Sequence, residues 1–285
     1  MQLKKATFYG KDNLKLCADI CGDTKYPPVI FLHGGGQTRH SWRGACEQLA
    51  AAGYYCISLD MRGHGDSDWS TDGRYGIDDI VGDLMAIIAP LRQPPILVGA
   101  SLGGIASMVT VASQTPSLAS ALILVDIVPK MESAGIADIL NFMTANPNGF
   151  ASLEEGAKAI ANYKNTQDSP SPRATTGLHK NLKLQSDGRY YWHWDPQISN
   201  IAGTDMAGVK SLAERMKMAA SHIKIPTLIV RGINSNVVSM EGVKELIELI
   251  PQAQFKDIPR AGHMIAGDNN DQFVKEIVRF IKQLP

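Results

Sequence analysis

Short apolar runs without alternation recur along this chain, each closed by glycine or a polar turn. Pro28-Val29-Ile30-Phe31-Leu32 is the first, and residues 55–59, 96–99, 121–125 and 227–230 repeat its grammar, with 253–258 as a weaker sixth example. Runs of this length predict strands buried on both faces, as a parallel sheet requires. Between them the apolar positions change to helical spacing. Ile77, Ile80, Val81, Leu84, Ile87, Ile88 and Leu91 form one stripe of period 3.6, and residues 243–250 and 273–281 form two more. Strand and helix in alternation predict βαβ units with right-handed crossovers, hence an α/β protein with a doubly wound, mostly parallel sheet. Residues 3–9 and 13–21 read as a preceding hairpin that turns at Gly10-Lys11-Asp12-Asn13.

One stretch breaks the rhythm. From 128 to 222 there is no buried-strand run; helices are predicted at 136–144, 153–163 and 209–220, joined by polar links such as Ser169-Pro170-Ser171-Pro172. The expected organisation is one domain, with a core of residues 1–127 and 223–285 and a helical cap inserted at 128–222.

Composition narrows the function classes. The 28 Lys and Arg balance the 28 Asp and Glu, so nothing points to nucleic acid or an anionic membrane surface. No apolar stretch reaches the roughly 18 residues of a membrane span. The first nine residues read as a strand and not as a signal peptide. Cys17, Cys21, Cys46 and Cys56 lack the spacing of a metal site and are expected to be reduced thiols of a cytoplasmic protein.

The candidate chemistry sits at strand ends. Gly99-Ala100-Ser101-Leu102-Gly103-Gly104 follows one buried strand and opens a helical pattern at 105–112. GxSxG in that context makes a sharp turn that lifts the serine hydroxyl above the sheet edge, so Ser101 is the candidate nucleophile. His33-Gly34-Gly35-Gly36 follows the 28–32 strand and exposes backbone N–H groups at the same carboxyl end of the sheet. The N–H of Gly35 or Gly36, with that of Leu102, is the candidate oxyanion hole. His263, in Ala261-Gly262-His263-Met264, follows the last strand and comes after Ser101 in chain order. Serine needs an adjacent base to act as a nucleophile, and His263 is the candidate. His33, His40 and His64 read as structural or pocket-lining; His179, His193 and His222 fall in the cap or at its exit.

With these residues in place the chain resembles the α/β-hydrolase superfamily over essentially its whole length. Among its members it is most similar to small bacterial esterases, perhydrolases and epoxide-hydrolase-like proteins. The stretch from His33 to Trp42, Asp60-Met61-Arg62-Gly63-His64-Gly65-Asp66-Ser67 and Ala261-Gly262-His263-Met264 carry the likeness. The resemblance implies a Ser–acid–His triad, a helical cap that shapes the pocket, and no cofactor. It implies a structural role for the 60–67 loop. Epoxide hydrolases and haloalkane dehalogenases of this fold use an Asp nucleophile, and Ser101 counts against both.

The chain departs from the family pattern at the triad acid. That acid usually follows the strand that here is 227–230, yet the segment reads Arg231-Gly232-Ile233-Asn234-Ser235-Asn236-Val237-Val238-Ser239, with Asn236 where Asp is expected. An amide cannot stabilise an imidazolium with charge and can favour the wrong tautomer. Asp126, after the 121–125 strand, is the alternative acid and keeps a legal chain order; as a turn or capping carboxylate it would be only structural. An enzyme weakened at Asn236, and a protein that binds without turnover, are the competing readings.

The pocket expectation rests on Arg189-Tyr190-Tyr191-Trp192-His193-Trp194-Asp195-Pro196, an aromatic concentration in a chain only 7% aromatic. If extended, it puts Trp192 and Trp194 on one face, as a wall of the substrate pocket or as an anchor of cap to core. Met264 is the third candidate substrate contact; Met131, Phe142 and Met143 could line the site or pack within the cap. The expected activity is cleavage of a small carboxylic ester or related acyl bond through an acyl-enzyme on Ser101. An acyltransferase, a perhydrolase or a C–C bond hydrolase would use the same residues, and a non-catalytic binding protein the same pocket. The expected partner is a small molecule, with monomer and homodimer both open.

Overall fold

A computed structural model describes residues 2–114, 117–163, 177–200, 206–263 and 270–284. The hairpin forms as β1 (Lys4–Tyr9) and β2 (Lys15–Cys21), antiparallel. The apolar runs become β3 (Pro28–Leu32), β4 (Tyr55–Leu59), β5 (Ile96–Ala100), β6 (Ala121–Val125) and β9 (Thr227–Gly232), and every residue in them is buried. Burial on both faces is why these strands lack alternation. β10 (Gln254–Ile258) sits at the sheet edge, which accounts for its weaker apolar signal. The order β1-β2-β4-β3-β5-β6-β9-β10 gives one eight-stranded sheet, parallel from β4 to β10.

The helices that cover the sheet are α1 (Arg43–Ala51), α2 (Ile77–Ile88), α3 (Leu102–Ala112), α7 (Met240–Leu249) and α8 (Asn270–Ile281). The two faces of the sheet carry separate apolar layers. Leu84, Ile105, Met108 and Val243 belong to one; Trp42, Leu49, Phe273 and Ile277 belong to the other. From β3 the chain crosses to β4 on one side and later to β5 on the other. The crevice beyond the carboxyl ends of β3 and β5 is therefore the topological switch point, where open α/β sheets bind ligands.

The insertion between β6 and β9 holds α4 (Ser133–Thr144), α5 (Leu153–Tyr163), a short antiparallel pair β7 (Leu182–Leu184) and β8 (Tyr190–Trp192), and α6 (Met206–His222). The pair is additional to the helices expected from the sequence. Its strands are three residues each, too short for a periodicity signal, although Asp187-Gly188 between them is a turn dipeptide. Helix α6, counted with the cap from sequence, packs on the core: Met216, Ala219 and Ala220 are buried in the same layer as α3 and α7. The Pro-rich link at 169–172 lies outside the described residues.

Candidate active site

The turn between β5 and α3 places Ser101 at the switch point. Ser101 has φ 45° and ψ −115°, a left-handed conformation that a non-glycine residue adopts only when its surroundings enforce it. Close packing on both sides enforces it here. A Cβ at Gly99 would lie 2.3 Å from the Gly103 carbonyl oxygen, and one at Gly103 would lie 2.6 Å from the Leu32 Cβ. The Gly103 N–H donates to the His33 carbonyl at 3.2 Å, which ties this turn to the loop after β3.

That loop lies directly beside the serine, with a Cβ at Gly34 falling 3.4 Å from the Ser101 Cβ. Its N–H groups divide their duties. Gly34 donates to the Gln37 side chain at 3.1 Å, and Gly36 donates to Nε2 of His64 at 3.2 Å. Of the two candidate oxyanion donors from sequence in this loop, Gly36 is engaged with His64, so Gly35 remains the candidate. Leu102 opens α3, so its N–H has no acceptor within the helix, and the residue borders the cavity that Ser101 faces.

Buried histidines brace this loop. His33 donates from Nδ1 to the Gly34 carbonyl at 2.8 Å and accepts the Met61 N–H on Nε2 at 3.0 Å. His64 donates from Nδ1 to the Arg62 carbonyl while Nε2 takes the Gly36 N–H. Acceptor duty requires a neutral ring, and burial enforces it, pushing His33 down to about 4 and His64 to about 3. The 60–67 loop is tied to the core: Asp60 forms a buried ion pair with Arg39 and accepts its backbone N–H at 2.7 Å.

Asp126 and His263 meet. His263 Nδ1 lies 2.7 Å from Asp126 Oδ2, and the carboxylate is buried, with only 1% of the residue exposed. Asp126 also has a positive φ, 48°, as the chain turns off β6, and its own N–H is tied to the Val230 carbonyl at 2.7 Å. Its Oδ1 accepts the Gly232 N–H at 3.1 Å and its Oδ2 accepts the Ser235 hydroxyl at 2.6 Å. Asn236 lies apart from this group: its Nδ2 donates to Asp138 Oδ2 at 3.0 Å on the exposed side of α4. The sequence named both positions for the acid; the structure brings Asp126 to the histidine and turns Asn236 away. Ser235 and Gly232 were not singled out from sequence, and nothing local marks a serine or glycine as partner to a carboxylate 109 or 106 residues earlier.

Ser101 and His263 open onto one cavity of about 180 Å³. Gly35, Leu102 and Ile105 form its floor, and Ile136, Ile139, Leu140, Phe142 and Met143 of α4 form much of its roof. Trp192 and Trp194, expected as substrate contacts, do not line it. Their rings stack on each other, 4.7 Å apart and 10° from parallel, and both residues are buried within the cap. They stand behind the wall: Trp194 lies 3.4 Å from where a Gly36 Cβ would be, and Phe142 packs between the tryptophans and the cavity. His193, beside them, is buried and accepts the Gly65 N–H at 2.8 Å, linking cap to core. Met264 lies outside the described residues. Met131, Phe142 and Met143 border the cavity.

A strained serine turn between strand and helix, a histidine paired with a buried carboxylate and a covered pocket at the switch point together define a hydrolase of the α/β type. A family model described as "alpha/beta hydrolase fold" matches residues 27–269, and the chain belongs to that family. Among its relatives, the esterase Rv0045c of Mycobacterium tuberculosis is 26% identical over 265 residues, covering 89% of this chain and 82% of that one. The 2-(acetamidomethylene)succinate hydrolase of Mesorhizobium japonicum is 28% identical over 257 residues, covering 90% and 88%. A crystal structure of E-2-(acetamidomethylene)succinate hydrolase superimposes with a TM-score of 0.81 at 21% identity, covering 99% of this chain and all of the other. No helix among the described residues is long and apolar enough to cross a membrane.

Proposed function

We propose that this protein hydrolyses small carboxylic esters through an acyl-enzyme on Ser101, with His263 as general base, Asp126 as the triad acid and the Gly35 and Leu102 N–H groups as the oxyanion hole. The observation that carries the reading is the 2.7 Å contact of His263 with Asp126 at the mouth of the cavity that Ser101 also faces. Nδ1 carries the proton it donates to Asp126, so Nε2 is the free base. His263 takes the Ser101 proton as the hydroxyl oxygen attacks the ester carbon. The two N–H groups hold the oxyanion, and His263 returns the proton to the departing alcohol. Water, deprotonated by the same imidazole, then releases the acid. Preorganised donors of this kind are each worth about 10²–10³ in rate.

The cavity supports the choice of substrate. An apolar cavity of roughly 150 Å³ accommodates a benzene ring, so 180 Å³ suits an acyl or alcohol group slightly larger than that. Two relatives named as an esterase and as a hydrolase of an amide-bearing succinate agree with acyl chemistry. The reading of a binding protein without turnover rested on Asn236, and the Asp126–His263 pair removes that ground.

The test is covalent labelling by a fluorophosphonate, together with turnover of p-nitrophenyl esters from acetate to decanoate. Ser101→Ala is expected to abolish both, and the wild type to favour chains of about six carbons. Labelling that persists in Ser101→Ala, or at another pocket residue, would overturn the assignment.

A further inference from the structure

We propose that Ser235 is a positioning residue for catalysis, whose hydroxyl holds the Asp126 carboxylate in register with His263. The inference rests on the triad reading above and goes beyond it, to a residue outside the triad. The bookkeeping of one hydroxyl carries it. A serine hydroxyl has one proton to give and two lone pairs to receive. The Ser235 oxygen accepts the Val237 N–H at 3.2 Å and the Val238 N–H at 3.1 Å. Both acceptor sites are filled, so its single proton goes to Asp126 Oδ2, 2.6 Å away. The direction of that bond is set by the turn that Ser235 sits in.

Asp126 Oδ2 thus receives two donors, the Ser235 hydroxyl and His263 Nδ1, and Oδ1 receives the Gly232 N–H. Ser235 and Gly232 both belong to the loop after β9. The acid stands at the end of β6, and the neighbouring loop supplies two of the donors that orient it. Fixing a carboxylate with several donors fixes the imidazole it partners, including which nitrogen carries the proton. The same loop also touches the cap. The Glu132 N–H donates to the Val237 carbonyl at 2.9 Å, and a Cβ at Gly135 would lie 2.3 Å from the Asn236 carbonyl oxygen. The segment 232–239 is therefore both the seat of the acid's donors and a docking strip for α4.

The experiment compares Ser235→Ala and Ser235→Thr with wild type in steady-state ester hydrolysis and in the low-field proton NMR signal of His263 Nδ1–H. Ser235→Ala is expected to lower kcat about tenfold with KM unchanged, since the hydroxyl does not reach the cavity. Its Nδ1–H signal is expected to move further downfield, because Oδ2 then serves His263 alone. Ser235→Thr, which keeps the hydroxyl, is expected to restore kcat to within about threefold and to return the signal. An Ala variant with wild-type kcat and an unmoved signal overturns the proposal while leaving the triad intact. So does a Thr variant as slow as Ala whose melting temperature is normal. Ester hydrolysis that survives Ser101→Ala would instead overturn the triad reading, and the role of Ser235 with it.

Discussion

At the scale of single residues, the two candidate acid positions have opposite surroundings. Asp126 is buried against His263, whereas Asn236 faces outward and bonds Asp138. Asp126→Asn is therefore expected to cost about 10³–10⁴ in kcat, the penalty of an amide that favours the wrong tautomer. Asn236→Asp is expected to leave kcat/KM within about threefold of wild type. It would also set a second carboxylate beside Asp138 of α4 and slightly lower stability. A large gain in Asn236→Asp with little loss in Asp126→Asn would reverse the assignment; ester kinetics on the two variants reads it. Ser101, Gly35, Leu102 and His263 were legible in the sequence because each sits at a strand end with its own local signature. The choice between Asp126 and Asn236 was not, because both follow buried strands, and side-chain direction depends on how the turns after β6 and β9 pack.

At the scale of elements, the cap shapes the pocket through α4, with the aromatic hairpin behind it. Trp192 and Trp194 stack within the cap and brace the Gly36 turn and Phe142. Trp194→Ala is expected to lower unfolding free energy by about 3–5 kcal/mol, the usual cost of removing a buried aromatic. It should lower kcat more than it raises KM, because the ring supports the Gly36 turn beside Ser101 without bordering the cavity. Urea unfolding and ester kinetics on one preparation would check this, and a change confined to KM would return Trp194 to the pocket wall. The sequence showed the aromatic cluster but not which way it faced. Alternation predicted a shared face for the two tryptophans, and a shared face serves an inner core as well as a cavity.

At the scale of the whole molecule, neutral histidines join separate parts of the chain. His33 follows β3, His64 lies in the 60–67 loop and His193 comes from the cap; the rings of His33 and His64 are 4.8 Å apart, and those of His64 and His193 are 6.1 Å apart. Burial holds His33 at about 4 and His64 at about 3 against an ordinary 6.5, and it also holds His193 well below that value. Between those values and 6.5 the unfolded chain binds protons that the folded chain refuses. Stability is thus full above pH 6.5 and falls as pH drops through that window. At about 1.4 kcal/mol per proton per pH unit, His33 alone represents a loss on the order of 3 kcal/mol by pH 4. Urea midpoints measured from pH 7 to pH 4 are expected to decline steadily, with a shallower slope in His64→Gln. A flat profile to pH 4 would show that these rings are not held neutral.

The sequence by itself determined the parallel sheet, its strand boundaries to within a residue or two, the strained turn at Ser101, the glycine loop and the place of His263 after the last strand. Those features are local: buried strands need unbroken apolar runs, and a strained turn needs small residues at fixed offsets. Tertiary structure alone decided which carboxylate meets His263, that Gly36 gives its N–H to His64, that Trp192 and Trp194 turn inward, and that Ser235 serves Asp126. Each of these joins residues distant in the chain whose side chains acquire direction only after the strands have registered and the cap has packed. A hydroxyl or a carboxylate carries no mark of its partner in its own neighbourhood; the partner is chosen by which loops the sheet order places side by side.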